Sequence, residues 1–312
     1  MDRSDVTPIV DIQGLTHRYG PRVAVDDVSF SIAPGASFGL LGPNGGGKST
    51  LFKILATLLT PAKGTARIAG HDVVTDRAAV RGLCGVVFQS PSLDPFLTAR
   101  ENLLHAGHLY GLSGGLLKSR IQEVLAALDV TDRAHHLVRT LSGGLKRRVE
   151  IAKSILHRPA VLLLDEPSTG LDPGARMAMW RQLQALRAAH GITLVMTTHF
   201  MDEADRCDQI GIMDRGRLVA LGKPSELKSR IGGACIQIEC DDAEAMRERI
   251  ADRFKCDATV VDGSVRIEQA GGHALVPGLV DAFGGEIRSV TVGQPTLEDV
   301  FMRETGRRFE IE

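Results

Sequence analysis

Short, largely apolar runs alternate with segments whose apolar positions recur every three or four residues. Ser37 to Leu41 reads as a short buried strand, and the four branched aliphatics Val161 to Leu164 predict a strand buried on both faces. Between them the period lengthens: Leu51, Ile54, Leu55 and Leu58 fall at i, i+3, i+4 and i+7, which predicts a helix. Leu145, Val149, Ala152, Ile155 and Leu156 share one helical face in the same way. Ile9 to Ser31 alternates like a strand pair around a Gly20-Pro21 turn, predicting an antiparallel β portion, and Pro61 to Gly64 marks another turn. Ser90 to Thr140 is rich in helical pattern, with Thr98 placed as a cap. From Val161 to Asp214 strands and helices alternate, the mark of a parallel sheet, and Ile192 to Met196 is a further apolar segment in it. Ile210 to Met213 and Leu218 to Leu221 flank Asp214-Arg215-Gly216-Arg217, a hairpin signal.

Lys223-Pro224-Ser225 marks a boundary, and after Gly232-Gly233 the pattern changes. Cys235 to Cys240 alternates as a strand and Ala243 to Phe254 is amphipathic. Ala258 to Val261 and Val265 to Ile267 flank an Asp262-Gly263 turn, His273 to Phe283 reads as a helix weakened near its start by Pro277, and Ile287 to Val292 returns to strand. That β-α-β-β-α-β order predicts a small α+β ferredoxin-like module. Thr296 and Asp299 then form a capping box ahead of Leu297, Val300 and Phe301. At 312 residues the chain is long for one core. Two domains are expected, 1–224 and 225–312, the first carrying a helical subdomain over about 90–157.

Charge narrows the partners. Basic residues number 37 and acidic residues 38, a balance that disfavours a broad nucleic-acid footprint. Lys146-Arg147-Arg148 is expected to be a solvated helix face. The five cysteines, at 84, 207, 235, 240 and 256, form no CxxC pair and read as reduced thiols, and His135-His136 has no ligand partners at metal spacing. Met1 to Pro8 is polar and acidic rather than a signal peptide, and no run of about 18 apolar residues is present to span a bilayer. A pathway through a membrane would belong to another polypeptide.

The chemistry gathers at a few loops. Gly42 to Thr50 reads Gly-Pro-Asn-Gly-Gly-Gly-Lys-Ser-Thr, matching G-x-x-x-x-G-K-[ST] at Gly42, Gly47, Lys48 and Ser49. It lies between a predicted strand and a predicted helix, the context of a P-loop. Phosphate oxygens need several donors converging on a small volume, and Gly45, Gly46 and Gly47 remove the side chains that would block backbone N–H groups. The helix start adds unpaired N–H groups and a positive dipole end. Lys48 is expected at the β and γ phosphates and Ser49 on Mg2+. Asp165 and Glu166 end the second apolar run, a costly place for carboxylates without a cation. Asp165 fits a Mg2+ carboxylate, directly or through water, and Glu166 fits the base that orients and deprotonates an attacking water.

With these residues the chain resembles the ATP-binding subunits of ABC transporters, in motif and in motif order. Tyr19, in His17-Arg18-Tyr19-Gly20, matches the aromatic residue that stacks on adenine, and Gln89 matches the glutamine loop that touches Mg2+ or water. Leu141 to Leu145 matches the signature, Ser168 to Asp172 the loop after the acidic pair, and His199 the switch histidine at the γ phosphate. Each residue also has an ordinary reading: packing for Tyr19, an N-cap for Ser142, a structural imidazole for His199. Gly46 stands where the family often has Ala, with little consequence expected, and Leu145 where it usually has Gln, which removes any contact of that amide to the opposite nucleotide. Pro295 to Phe301 and Thr198 to Asp205 further resemble the ATPases of drug and polysaccharide exporters of the daunorubicin-resistance type.

The resemblance implies an α/β fold of ABC type: a parallel sheet core, an antiparallel β portion and a helical subdomain. It implies ATP and Mg2+ as ligands, with Gly42, Pro43, Asn44, Gly45, Gly46, Gly47, Lys48, Ser49 and Thr50 around the phosphates. It also implies a second ATPase subunit, expected to be a second copy, whose Ser142, Gly143 and Gly144 face the first nucleotide. Lys48, Gln89, Glu166 and His199 would then carry hydrolysis, and Ser49, Gln89 and Asp165 the metal. The machine would sit on the cytoplasmic face of a membrane, docked on a separate permease through the surface between Gln89 and Glu101. Two other classes compete: a soluble ATPase of the same type acting on ribosomes or DNA, and a nucleotide sensor without turnover, which Glu166 argues against.

Overall fold

In the computed structural model, which describes residues 7–231, 233–261, 263–269 and 271–309, the apolar runs become the centre of a six-stranded sheet. Its order is β10 (Arg217–Gly222), β9 (Gln209–Asp214), β3 (Ser37–Leu41), β8 (Thr193–Thr198), β7 (Val161–Asp165) and β6 (Cys84–Val87). All pairings are parallel except the β9–β10 hairpin. Every residue of β3, β7 and β8 is buried, because helices cover one face and a second sheet covers the other. Central parallel strands of this kind place their C-terminal ends, and the loops that leave them, along one rim. The P-loop, Glu166 and His199 leave that rim from β3, β7 and β8.

The second sheet is antiparallel, in the order β2 (Arg22–Ile32), β1 (Val10–Tyr19), β4 (Lys63–Ile68) and β5 (His71–Asp72). Its Ile12, Leu15, Val28 and Ile32 pack with Phe38, Leu51 and Phe52 of β3 and α1 (Lys48–Leu55). Helix α1 is shorter than its periodicity suggested. It stops at Leu55, the chain turns through a left-handed Thr57 (φ 63°), and Leu58, expected on the buried face, is 57% exposed. A two-turn helix buries Leu51, Ile54 and Leu55 and leaves nothing for the fourth position to cover.

Helices α2 (Arg77–Leu83), α3 (Ala99–Leu109), α4 (Gly114–Ala127), α5 (Gly143–Ile155), α6 (Pro173–His190) and α7 (Met201–Ala204) complete this part of the chain. Thr98 caps α3 in a reciprocal box with Glu101, as its place in the sequence implied. Tyr110, at the end of α3, stacks on His157 just past α5 with ring centroids 3.8 Å apart, and His157 Nε2 lies 3.1 Å from the Cys84 carbonyl oxygen. Burial pushes the His157 pKa down, against a smaller upward pull from that hydrogen bond. The folded chain therefore takes up the proton less readily than the unfolded chain does. The sign follows: stability from this group is full above about pH 6.5 and falls as pH drops through the imidazole range. His157→Phe keeps a ring without a titrating group. Its urea midpoint is expected to fall less between pH 7.5 and 5.5 than that of the wild type, and equal losses would show that His157 carries none of the dependence.

The third sheet is antiparallel in the order β12 (Ala258–Val261), β13 (Ser264–Gln269), β11 (Ala234–Cys240) and β14 (Ile287–Gly293), the strand order of a ferredoxin-like module. Helices α9 (Ala243–Phe254) and α10 (Val276–Phe283) cover one face around Ile236, Ile238, Ile250, Val265, Leu279 and Phe283. Helix α10 begins at Val276 rather than His273, after a single 3-10 turn, and Pro277 sits in its first turn, where a missing N–H costs nothing. Gly232 of the expected break and Asp262 of the expected turn lie outside the described residues. Helices α8 (Pro224–Ser229) and α11 (Leu297–Thr305) do not join this small core. Leu227, Ile231, Leu297, Val300 and Phe301 belong instead to the large core beneath the six-stranded sheet.

Candidate functional site

Between β3 and α1 the loop folds back on itself with Gly45 (φ 75°) and Gly47 (φ 103°) left-handed. Side chains are excluded here by neighbouring backbone as well as by φ. A Cβ on Gly42 would lie 2.3 Å from the Met213 carbonyl oxygen, and one on Gly47 2.5 Å from that of Ala24. Gly46 is tight too, since a Cβ there would stand 3.0 Å from the Pro43 oxygen. Gly47 is the N-cap of α1 and offers no side-chain cap, so the first N–H groups of the helix point outward without a side-chain acceptor. Such a cradle fits an anion with several oxygens.

Lys48 is buried, and its ammonium donates to the carbonyl oxygens of Gly42 (2.6 Å) and Pro43 (3.0 Å). Burial lowers its pKa, while the nearby charges of Glu166 and Asp165 pull in the opposite direction. Glu166 Oε1 is 3.9 Å from Lys48 Nζ across a cavity of about 220 Å³, which runs from Tyr19 past the loop from Asn44 to Thr50. Tyr19, 47% exposed, stands at the mouth of that cavity edge-on to His17. Arg22 lines it as well, a residue that sequence reasoning missed. The β1–β2 register pairs Arg22 with Tyr19 across the predicted turn, and that was the available signal.

Glu166 leaves β7 with φ 44°, a conformation that costs a non-glycine residue about 1–3 kcal/mol and persists only where neighbours impose it. Those neighbours are visible. Its N–H donates to Thr197 Oγ1 at 2.9 Å, the same hydroxyl donates to Asp165 Oδ1 at 2.6 Å, and Thr169 Oγ1 donates to Glu166 Oε2 at 3.3 Å. Gln89 Nε2 reaches Glu166 Oε2 at 3.4 Å. His199 Nδ1 is also 3.4 Å from Oε2 but off hydrogen-bond geometry, which leaves this buried nitrogen without a partner. Burial raises the Asp165 pKa, against the hydrogen bond from Thr197. A carboxylate desolvated in this way suits a cation. Among the described residues no cluster of three His, Cys, Asp or Glu side chains is placed to hold one alone, so a metal beside Asp165 would need other oxygen ligands as well.

Arg147 departs from expectation. It was placed with Lys146 and Arg148 on a solvated face, yet it is 8% exposed and all three of its guanidinium nitrogens donate hydrogen bonds. Nη1 donates to the Phe88 carbonyl oxygen (2.7 Å) and to Glu150 Oε2 (2.9 Å), Nε to the Pro167 oxygen (2.8 Å), and Nη2 to the Glu166 oxygen (3.2 Å). One side chain of α5 thus joins the loop before Gln89 to the loop bearing Glu166. The only local hint was Glu150 three residues on; the carbonyl partners come from distant segments.

Ser142 caps α5, accepting weakly from the Leu145 N–H at 3.4 Å. With Gly143, Gly144 and Asp172 it lines a separate cavity of about 300 Å³, and no residue of that cavity lines the one at Lys48. Lys48, Gln89, Asp165, Glu166 and His199 are brought together within one chain; Ser142 to Gly144 are not brought to them. A larger, open groove of about 930 Å³ lies beside Ala33 to Ala36, before β3, and contains none of these residues.

Comparison with known proteins agrees with this geometry. Residues 25–169 match the ABC transporter family model, and 222–305 match that of the ATP-binding protein DrrA1-3-like, C-terminal domain. The chain is 38% identical to the daunorubicin/doxorubicin resistance ATP-binding protein DrrA of Streptomyces peucetius, over 96% of this chain and 93% of the relative. It is likewise 38% identical to the Nod factor export ATP-binding protein I of Ralstonia nicotianae, over 96% and 95%. A solved ATP-binding subunit of an ABC transporter superposes with a TM-score of 0.64 at 28% identity, over 71% of this chain and 92% of that one. The chain belongs to the ATP-binding subunits of ABC transporters and is an ATPase whose hydrolysis is coupled to transport.

Proposed function

We propose that two copies of this chain close on two ATP molecules and that the closing and opening drive an export permease carried on a separate polypeptide. The observation that carries the reading is the split site. The phosphate cradle and the Ser142 cavity lie on one chain without sharing a residue, and each is half of what a transferring phosphoryl group needs. In the closed pair the loop amides and Lys48 hold the β and γ phosphates, Tyr19 stacks on the adenine, and the partner's Ser142 and Gly144 cover the γ phosphate. The Glu166 carboxylate orients a water and takes its proton as the water oxygen attacks phosphorus and the bond to the bridging oxygen breaks. His199 donates to a γ oxygen, which gives a use to its buried ring nitrogen without a partner among the described residues. Mg2+, held by Ser49, Asp165 and Gln89, would neutralise charge on the phosphates.

Arg147 acts here as a positioning residue, fixing the backbone of Glu166 and the approach to Gln89. Arg147→Ala is expected to lower kcat by about 10²-fold with little change in KM, the cost of misplacing a catalytic group by about an ångström. Arg147→Lys keeps the charge but loses the fork and is expected to fall between. A KM effect larger than the kcat effect would contradict this role.

Among the described residues no helix is long and apolar enough to cross a membrane. The permease is proposed on another chain, with this one at the cytoplasmic face. Relatives named for drug resistance and Nod factor export favour export. The docking surface is proposed between Gln89 and Glu101, where Phe96 is 72% exposed. The experiment is affinity purification from detergent-solubilised membranes. A co-purifying polytopic membrane protein that is lost on Phe96→Asp supports the reading; ribosomes or DNA in its place would overturn it.

A further inference from the structure

The nucleotide loop is shaped from beneath by the β9–β10 turn, in which Arg215 (φ 47°) and Gly216 (φ 84°) are both left-handed. The Gly216 N–H donates to the Gly46 oxygen at 2.9 Å, and the Met213 oxygen is the atom that forbids a side chain on Gly42. Asp214, which starts this turn, is buried and ion-paired with Arg307 just past the end of α11. The Arg307 guanidinium also lies 5.9 Å from the ring of Phe301, itself fully buried and edge-on to Phe309. Arg307 and Arg308 share a cavity of about 140 Å³ with Asn44 and Gly45.

The other end of α11 is tied to the third sheet. Arg266 of β13, 6% exposed, donates to Asp299 Oδ1 at 2.6 Å and to Glu268 Oε1 at 2.9 Å, and Asp299 closes the capping box with Thr296. One helix therefore joins the ferredoxin-like sheet at its start to the turn under the P-loop at its finish. We propose that Arg307 is a positioning residue for nucleotide binding and that α11 with its tail couples the ferredoxin-like sheet to the P-loop. The proposal rests on the reading of that loop as the ATP site.

Coupling of this kind is reciprocal: what the tail does for the nucleotide, the nucleotide does for the tail. In the full-length chain, MgATP is expected to slow amide exchange over 300–309 in the wild type. Arg307→Ala and Arg266→Ala are expected to weaken MgATP, measured by calorimetry, by roughly 5- to 150-fold, with Arg307→Lys recovering part of the loss. Asp214→Asn should weaken it similarly and serves if Arg307→Ala fails to fold. A wild type that does not bind MgATP would overturn the nucleotide reading and this proposal together. A wild type that binds, with unchanged exchange over 300–309 and variants of equal affinity, would overturn the coupling alone.

Discussion

Glu166→Gln is expected to cut ATP turnover by about 10²- to 10⁴-fold, the range for loss of a general base, while ATP stays bound. The amide is nearly isosteric, so the contacts that hold the backbone, from Thr197 and Arg147, persist. Lost is the oxygen that takes a proton. The side chain faces Lys48, Gln89 and His199 at 3.9, 3.4 and 3.4 Å, so this carboxylate sits where those three groups converge. Phosphate release measured at saturating MgATP checks it, and turnover within a few-fold of the wild type would remove Glu166 from the chemistry. A nucleotide sensor without turnover would show that indifference.

Lys48→Ala acts one step earlier. The ammonium is buried at the centre of the loop, and nothing else lining the cavity there places a cation against both Glu166 and the phosphate cradle. A charge-assisted hydrogen bond is worth about 1.5–3 kcal/mol, so the loss of even one to each of two phosphates is expected to weaken MgATP by 10²-fold or more, roughly 3 kcal/mol. The buried carboxylates that Lys48 screened would then repel the triphosphate. Thermal unfolding gives the cleanest reading: a ligand at 100 times its Kd adds about 2.7 kcal/mol to stability, and one bound 10²-fold more weakly at the same concentration about 0.4 kcal/mol, so MgATP should raise the wild-type midpoint several times more than that of the variant. An equal shift in both would contradict the assignment.

The parts of this site that were legible beforehand are those set by local chemistry. β3 and β7 read as buried from their run of apolar residues, and all their positions are covered; the glycines read as a cradle because they remove the side chains that would block backbone N–H groups before Lys48. Thr98 and Thr296 announced their helices through acids three residues on. What stayed hidden depends on segments far apart in the chain. Arg147 looks like a surface cation until Phe88, Glu166 and Pro167 present their carbonyl oxygens to it. Leu58 fits a helical period that the chain leaves at Leu55, and Arg266 reveals itself only when α11 brings Asp299 to it. The joining of α11 to the large core, away from the sheet it follows, is tertiary in the same sense.

In the proposed pair, triphosphate bound at Lys48 on one copy is completed by Ser142 on another, and light scattering on purified Glu166→Gln, with and without MgATP, is the decisive measurement. A doubling of mass is expected that requires MgATP and is lost when Ser142→Arg is added; a mass unchanged by nucleotide, or a dimer indifferent to Ser142→Arg, would show that the two half-sites do not share a nucleotide.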